Sequence, residues 1–386
     1  MARFRAESAR SYVLLSADAV LHPEVRQPLA TELKRETNGA DWILIGPEAF
    51  LEQAQPLVEL RQSQGLRAMA VSVEQVYSEL GYGESTPEAI REFLAYAYHH
   101  WKAPSVRYVV LFGDATYDFK DYYGTGVKNH VPPLMVKTRF VWTVSDPAYA
   151  SVNGEDMLPD IAIGRLPAAS AEEARALVDK LVAYETGASG LDGPVVLVAD
   201  NRDAAGNFES DADAIASTIL SGRELNQIYL SQLGTAASRQ AIVEAFDSGA
   251  SLVSYVGHGG IQLWANERLL DTGSVSLLSP QAQQPLVLTM NCMNGYFHFP
   301  FFNSLSEELV KAEGKGAIAA FSPSGLSFNG PAHVYHQALL TELFHGGHQR
   351  LGDAIVAAQE AYTGTGAWPE LLSIYHLLGD PALTLR

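Results

Sequence analysis

Short continuous apolar runs alternate, from residue 41 onward, with longer stretches in which apolar residues recur at helical spacing. The first such unit consists of the apolar run Trp42 to Ile45, the helical stretch Glu48 to Gln64 and the run Arg67 to Val73. This order predicts a strand, a helix and a second strand. Because continuous apolar strands are buried on both faces, the pattern is typical of a parallel sheet covered by helices, and we predict an α/β fold.

The same alternation continues along the chain. Helices are predicted over 86–101, 170–185, 210–220 and 238–248, the second of them after a capping-box sequence at Ser170-Ala-Glu-Glu173. Further strands are predicted over 108–112, 194–200, 227–230, 250–257, 284–290 and 316–321.

Three segments depart from this regular pattern and indicate how the chain is organised. Residues 1–40 contain a polar helical pattern through Lys34 and look like an appendage. Residues 114–167 are rich in Tyr, Asp, Gly and Pro, and a loop of that length inside a domain is usually functional. The glycine-rich stretch 186–193 is the best internal boundary. The predicted parts are an N-terminal extension over 1–40, an α/β subdomain over 41–187 and a second α/β subdomain over 188–386.

Charge and hydropathy exclude several kinds of partner. The 26 Lys and Arg residues face 44 Asp and Glu residues, which leaves a formal charge of −18 and a field that repels nucleic acid and anionic lipids. No apolar run approaches the roughly 18 residues that span a bilayer. We therefore expect neither nucleic-acid binding nor membrane insertion, whereas a basic peptide would be attracted. The sequence leaves the oligomeric state open.

Residues whose side chains can take part in catalysis follow three of the predicted strands in the second subdomain. Asp200, His258 and Cys292 each come directly after a strand, and Cys292 is the only cysteine. Because ligands of open α/β sheets bind beyond the carboxyl ends of the strands, these three residues are expected at one edge. A thiolate nucleophile, an imidazole that moves protons and a carboxylate that orients the imidazole form a catalytic set.

Main-chain amides of Gly259 and Cys292 could face a developing oxyanion, since the glycines around His258 let a substrate approach the backbone. Two other interpretations stay open at this point. Cys292 could be a buried small hydrophobe, or it could bind zinc together with His258 and His298, although paired-ligand spacing is missing.

Four oxygen-bearing residues in the 114–167 segment could hold calcium as a structural ion. They are Asp146, Asn153, Glu155 and Asp156. Their spacing matches no EF-hand loop, so the alternative is that they are solvated loop residues.

Two segments around the candidate nucleophile and base resemble the active-site segments of the gingipain-like cysteine peptidases, family C25 of the caspase-fold clan. These are Tyr255-Val-Gly-His-Gly-Gly260, followed by Trp264, and Asn291-Cys-Met-Asn-Gly-Tyr-Phe297. The segments 108–114, 159–167 and 378–383 are also similar to that family, so the resemblance covers about residues 41–386. It implies a caspase-like three-layer αβα fold built from two subdomains with mostly parallel sheets.

The resemblance also implies a cysteine endopeptidase that acts on protein or peptide substrates and needs no cofactor for catalysis. Cys292 would be the nucleophile, His258 the general acid and base, and Asp200 the acid that hydrogen-bonds His258. Asp211 would lie at the base of the S1 pocket, which receives the P1 side chain before the scissile bond, and would favour Arg there. Asp211 could instead stabilise a helix N-terminus.

Phe328 and Trp264 would complete the S1 pocket by the same resemblance. Enzymes of this kind bind calcium and are secreted as part of longer precursors, so we expect a secreted or cell-surface fragment. Lys34-Arg35 is a candidate self-processing site. A catalytically silent scaffold, or a hydrolase or acyltransferase that uses the same dyad, is the alternative function.

Overall fold

The apolar runs predicted as strands all lie in one continuous ten-stranded sheet. The computed structural model describes residues 5, 7–22, 27–154, 156–187 and 190–385. None of the helices in these ranges is both long enough and apolar enough to cross a membrane. Short 3-10 helices are formed by Ala17–Ala19, Glu48–Phe50 and Ser274–Leu277.

The helices and strands of the first half of the chain are β1 (Trp42–Gly46), α1 (Leu51–Ser63), β2 (Ala68–Ser72), α2 (Val73–Leu80), α3 (Pro87–His100), β3 (Tyr108–Phe112), β4 (Met135–Lys137), β5 (Trp142–Val144), α4 (Pro147–Ala150), β6 (Ala162–Leu166) and α5 (Ala171–Thr186). Two of the predicted helices begin at side-chain caps. Thr86 accepts a hydrogen bond from the Ala89 amide before α3, and Ser170 accepts one from the Glu173 amide before α5.

The second half contains β7 (Val195–Ala199), α6 (Phe208–Ser217), β8 (Leu225–Tyr229), α7 (Leu230–Leu233), α8 (Thr235–Asp247), β9 (Leu252–Val256), β10 (Gly259–Gly260), β11 (Leu263–Trp264), β12 (Leu270–Asp271), β13 (Leu286–Met290), α9 (Leu305–Lys311), β14 (Ala319–Pro323), α10 (Asn329–His345), α11 (Leu351–Thr363), α12 (Leu371–Ile374) and β15 (Tyr375–Leu378).

Strand order in the sheet is β2-β1-β3-β6-β15-β14-β13-β9-β7-β8. Neighbouring strands are parallel everywhere except between β14 and β15, which pair antiparallel. The sheet therefore consists of two parallel halves that run in opposite directions. The predicted α/β fold with mostly parallel strands is confirmed, and the two expected sheets are joined edge to edge. Whether the boundary near residue 187 separates independently folding units stays a prediction.

Successive residues of β1 pack into opposite layers. Trp42 and Leu44 are fully buried in one hydrophobic cluster, whereas Ile43 and Ile45 are fully buried in a second cluster on the other face. Burial on both faces explains why this strand has no polar alternation in the sequence.

A buried ion-pair network joins the closing segment of the chain to the first half. Asp380 accepts hydrogen bonds from Trp42 Nε1 at 3.0 Å and from Arg61 Nε at 2.9 Å, while Arg61 also pairs with Glu185. Arg61 and Asp380 are fully buried. The segment 378–383, which resembled the family, thus has a structural role here.

The fold differs from the sequence predictions in the irregular segments. Residues 114–167 were expected to be loops, yet they contain the hairpin β4–β5, the short helix α4 and the buried strand β6. Gly164 and Arg165 interrupt the apolar pattern of β6, which conceals this strand. The helical pattern predicted through Lys34 is wrong for the described residues there, because only a 3-10 turn at 17–19 forms.

Candidate active site

The two strands that precede the candidate base and nucleophile lie side by side. β9 and β13 are parallel neighbours, with Val256 opposite Met290. His258 and Cys292 each follow two residues after those positions, so the sheet places them at neighbouring sites on one edge. β7 borders β9 on its other side, which brings Asp200 to the same edge.

His258 is held by contacts to both its main chain and its ring. The Tyr255 hydroxyl donates a hydrogen bond to the His258 carbonyl at 2.6 Å, and the ring of Phe208 packs edge-on against the imidazole at 5.4 Å. The imidazole Nε2 lies 2.8 Å from Oδ2 of Asp203. About 41% of the His258 side chain remains exposed, so the ring is oriented and still accessible.

The acid that contacts the imidazole is Asp203, and the expected contact between the ring and Asp200 is not formed. Asp200 is buried directly after β7, where its carboxylate accepts hydrogen bonds from the main-chain amides of His258 at 3.1 Å and Asn201 at 2.8 Å. Burial raises the pKa of Asp200. The hydrogen bond from His258 instead lowers the pKa of Asp203, which favours its charged form beside the ring.

Sequence reasoning missed Asp203 because it sits inside a loop. The rule that the residue after a strand carries the chemistry selects Asp200, whereas Asp203 lies three positions later in Asp200-Asn-Arg-Asp203. The presence of a second acid in this short loop was the one signal that could have identified it.

Cys292 lies in a tight turn after β13. Its Sγ is 3.8 Å from the carbonyl oxygen of Ser327, and burial raises the pKa of the thiol. Met293 adopts a positive φ of 62°, and its amide donates to Gly325. Among the described residues the Cys292 amide finds no hydrogen-bond acceptor, which leaves it able to bind a substrate oxygen.

The loops that carry His258 and Cys292 pack backbone against backbone. A Cβ at Gly259 would lie 2.9 Å from the Cys292 carbonyl oxygen and 2.2 Å from Asn291 Nδ2, so only glycine fits there. Asn291 donates to Asn294 at 2.9 Å, and Asn294 in turn donates to the carbonyl of Leu263 at 3.1 Å. The two asparagines thus fasten the nucleophile turn to the hairpin that follows the base.

Two predicted S1 residues lie close together in the structure. Asp211 is in the first turn of α6, and its Oδ2 accepts a hydrogen bond from Asn329 Nδ2 at 2.7 Å. Asn329 directly follows Phe328, whose side chain is 52% exposed. Asp211 Oδ1 has no hydrogen-bond partner in the described part of the chain, so one carboxylate oxygen is left to meet a ligand.

Trp264 has no exposed surface that could line an S1 pocket, contrary to the expectation. Its side chain is fully buried and stacks on Tyr255, with the ring centroids 4.7 Å apart and an interplanar angle of 6°. Because Tyr255 also binds the His258 carbonyl, Trp264 supports the position of His258 through Tyr255.

Asp146 is not available to a calcium ion, contrary to the expectation. Both of its carboxylate oxygens lie 2.8 Å from the guanidinium of Arg165, and both side chains have zero exposure. Arg165 also donates to the carbonyls of Gly113 and Val131 and lies 4.6 Å above the ring of Phe297. The pair is therefore a structural element behind the nucleophile segment.

Asp156 and Asn153 make hydrogen bonds of their own within the segment, and calcium binding stays a prediction. Asp156 accepts a hydrogen bond from the Leu158 amide, and the Asn153 amide donates to Asp160. Glu155 lies outside the described residues. No group of three or more His, Cys, Asp or Glu side chains suited to a metal is present in the described ranges, which also leaves no zinc site there.

Comparison with known proteins identifies the family of the chain. The model of peptidase family C25 matches residues 35–386. Gingipain R2 and gingipain R1 of Porphyromonas gingivalis are each 24% identical to the chain over 377 residues, which cover 92% of it. The same alignments cover 47% and 35% of those relatives, so the chain spans about half of their length or less.

Solved structures show the same fold. The crystal structure of the Arg-specific cysteine proteinase gingipain R superposes with a TM-score of 0.76 at 21% identity, covering 94% of this chain and 80% of that one. A complex of the pro- and mature domains of RgpB from Porphyromonas gingivalis gives a TM-score of 0.75 at 21% identity, over 89% of this chain and 79% of that one. The caspase-like α/β fold expected from the resemblance is confirmed, and the chain belongs to peptidase family C25, a family of cysteine-type peptidases.

Proposed function

We propose that the chain is a cysteine endopeptidase in which Cys292 is the nucleophile and His258 the general acid and base. The observation that carries this proposal is the position of the two residues at the ends of adjacent parallel strands, with the imidazole held by Asp203 at 2.8 Å. Protein or peptide substrates follow from this chemistry.

The contact to Asp203 assigns different roles to the two nitrogens of His258. Nε2 donates a hydrogen bond to Asp203, so Nδ1 is left as the nitrogen that accepts the thiol proton. Asp203 stabilises the imidazolium that forms. The raised pKa of the Cys292 thiol makes this proton transfer necessary, because the resting thiol is neutral near pH 7.

The thiolate then attacks the peptide carbonyl carbon and forms a bond to it. The negative charge on the carbonyl oxygen is received by the main-chain amides of Cys292 and Gly259. His258 gives its proton to the leaving amine, and the carbon–nitrogen bond breaks, which yields a thioester. A water molecule, deprotonated by the same imidazole, hydrolyses the thioester and frees Cys292.

We also propose that the enzyme cleaves after Arg. Asp211 presents a carboxylate beside Phe328, and a guanidinium in this position could form a charge-assisted hydrogen bond. The Arg-specific relative supports this choice. Secretion or a cell-surface location, expected from the family resemblance, belongs to the same proposal and is tested by fractionating the producing cells.

Hydrolysis of peptidyl coumarylamides that differ in the P1 residue tests the function. The wild-type chain is compared with Cys292→Ala and Asp211→Asn under reducing conditions. We expect cleavage after Arg, loss of about three or more orders of magnitude in kcat for Cys292→Ala, and a selective loss for Arg substrates in Asp211→Asn. Equal activity of Cys292→Ala and wild type would refute the mechanism, and cleavage after another residue would refute the role of Asp211 alone.

A further inference from the structure

Three aromatic rings from separate segments meet on the surface beside the nucleophile. Phe140 comes from the tip between β4 and β5, Phe328 precedes α10, and Trp368 precedes α12. Their ring centroids are 5.5 Å apart for Phe140 and Phe328, 5.6 Å for Phe140 and Trp368, and 5.5 Å for Phe328 and Trp368. Phe140 is 41% exposed and Trp368 is half-buried. We call these three residues the aromatic cluster.

Hydrogen bonds fix the segments that carry the aromatic cluster. Thr143 donates to the Ser324 carbonyl at 2.6 Å, and the Ser324 hydroxyl donates to the Val144 carbonyl at 2.7 Å, so the β4–β5 hairpin is fastened to the segment after β14. The Arg139 amide donates to Glu370 at 2.9 Å, which fastens the hairpin tip to the segment that carries Trp368. The rings therefore form a prearranged surface.

The aromatic cluster begins where the S1 pocket ends. Ser327 contacts the nucleophile sulfur through its carbonyl, and the next residue is Phe328. Asn329, one position further, binds Asp211. Phe328 thus borders the P1 position, while Phe140 and Trp368 extend the apolar surface beyond it. A peptide whose P1 side chain contacts Asp211 therefore has its neighbouring residues within reach of these rings.

We propose that the aromatic cluster is a substrate subsite that binds a large apolar side chain two or three residues before the scissile bond. This inference rests on the proposed function. The occupant is apolar because exposed rings in contact with one another gain most from covering by an apolar or aromatic group. Phe140 and Trp368 would then be specificity-determining residues.

Peptide substrates with the accepted P1 residue and either Phe or Gly at the two preceding positions test the proposal. One aromatic contact alters a free energy enough to change an equilibrium roughly two- to twelvefold. We expect wild type to prefer Phe in kcat/KM, and Phe140→Ala and Trp368→Ala to lower this preference by about that factor. The Gly substrate should be cleaved equally by all variants, which shows that they fold.

Trp142→Ala is the matched control, because Trp142 is 61% exposed on the same hairpin and lies outside the ring contacts of the cluster. It should keep the wild-type preference for Phe. Unchanged preference in both Phe140→Ala and Trp368→Ala, or an equal loss in Trp142→Ala, would overturn the proposal.

A binding measurement separates failure of the subsite from failure of the proposed function. Peptides that end in the P1 residue are titrated against Cys292→Ala, alone and combined with Phe140→Ala, and their Kd values are measured by tryptophan fluorescence. If Phe140→Ala weakens binding of the Phe peptide to the Cys292→Ala protein and leaves binding of the Gly peptide unchanged, the subsite is supported. This holds even if wild type cleaves no peptide. Equal Kd values for the Phe and Gly peptides, or binding of neither, would contradict it.

Discussion

The ion pair between Asp146 and Arg165 gives the sharpest test of how the nucleophile segment is supported. Asp146→Asn keeps the shape of the side chain and removes its charge. The guanidinium of Arg165 then stays fully buried, with its two carbonyl acceptors and the ring of Phe297 but without a counter-ion. A buried charge that loses its partner costs far more than a surface ion pair contributes.

The size of the effect follows from the burial of the pair. Removing one partner of a fully buried ion pair costs about 3–5 kcal/mol. Unfolding entropies near 2.1 cal/mol/K per residue correspond to about 0.8 kcal/mol/K for a chain of 386 residues. We therefore expect the melting temperature of Asp146→Asn to fall by about 4–6 °C.

Thermal unfolding with added calcium and with a chelator distinguishes the ion pair from a calcium site. Because both oxygens of Asp146 are bound by Arg165, Asp146→Asn should be destabilised equally under the two conditions. Asp156→Asn, the control in the same segment, should match wild type. The assignment of Asp146 as the partner of Arg165 would be refuted by two results together. Asp146→Asn would melt lower than wild type only with calcium, and wild type in chelator would melt like the variant.

Three further predictions concern the site and its support. Asp203→Asn should lower kcat/KM about tenfold or more at unchanged melting temperature, because the Asp203 carboxylate is 42% exposed and binds the imidazole and the Ala205 amide of its own loop. Asp200→Asn should also destabilise the fold, because buried Asp200 accepts the main-chain amide of His258; equal effects on activity and stability from both would contradict this assignment. Alkylation of Cys292 by iodoacetamide should keep accelerating above pH 9, since burial raises the pKa of the thiol above its ordinary value of 9.0; a plateau at pH 6–7 would show a preformed thiolate. Lys180→Met should cost about 2 kcal/mol or more in urea unfolding, because four main-chain carbonyl oxygens lie 2.7–3.4 Å from Lys180 Nζ and would lose this donor. An unchanged urea midpoint would show that water satisfies these carbonyls in the variant.

The sequence was most informative where one physical requirement dominated. β1, β3, β7, β9 and β13 are buried on both faces, so nearly every residue had to be apolar and the strands were visible as continuous runs. The positions of His258 and Cys292 followed from the rule that chemistry gathers at the carboxyl ends of such strands.

The sequence was least informative where tertiary contacts override local composition. β6 carries Gly164 and Arg165. The buried charge of Arg165 is compensated by Asp146, which lies in another part of the 114–167 segment. A carboxylate in an irregular segment looks like a metal ligand or a solvated residue until its partner is known. Asp200 and Asp203 present the same difficulty, since three residues of loop decide which of them faces the imidazole.

The reversal of strand direction in the sheet explains why a segment from the first half contributes to a site in the second. Because β14 and β15 are antiparallel, the carboxyl ends of β7, β9 and β13 share an edge with the amino ends of β3 and β6. The chain that leaves β3 at the far edge must return to the active-site edge before it enters β6. Residues 114–161 make this crossing, and their hairpin arrives at the end of β14, where Thr143 binds Ser324 and Phe140 meets Phe328. The topology thus requires a return crossing here, and the tip of its hairpin lies where an extended substrate would pass.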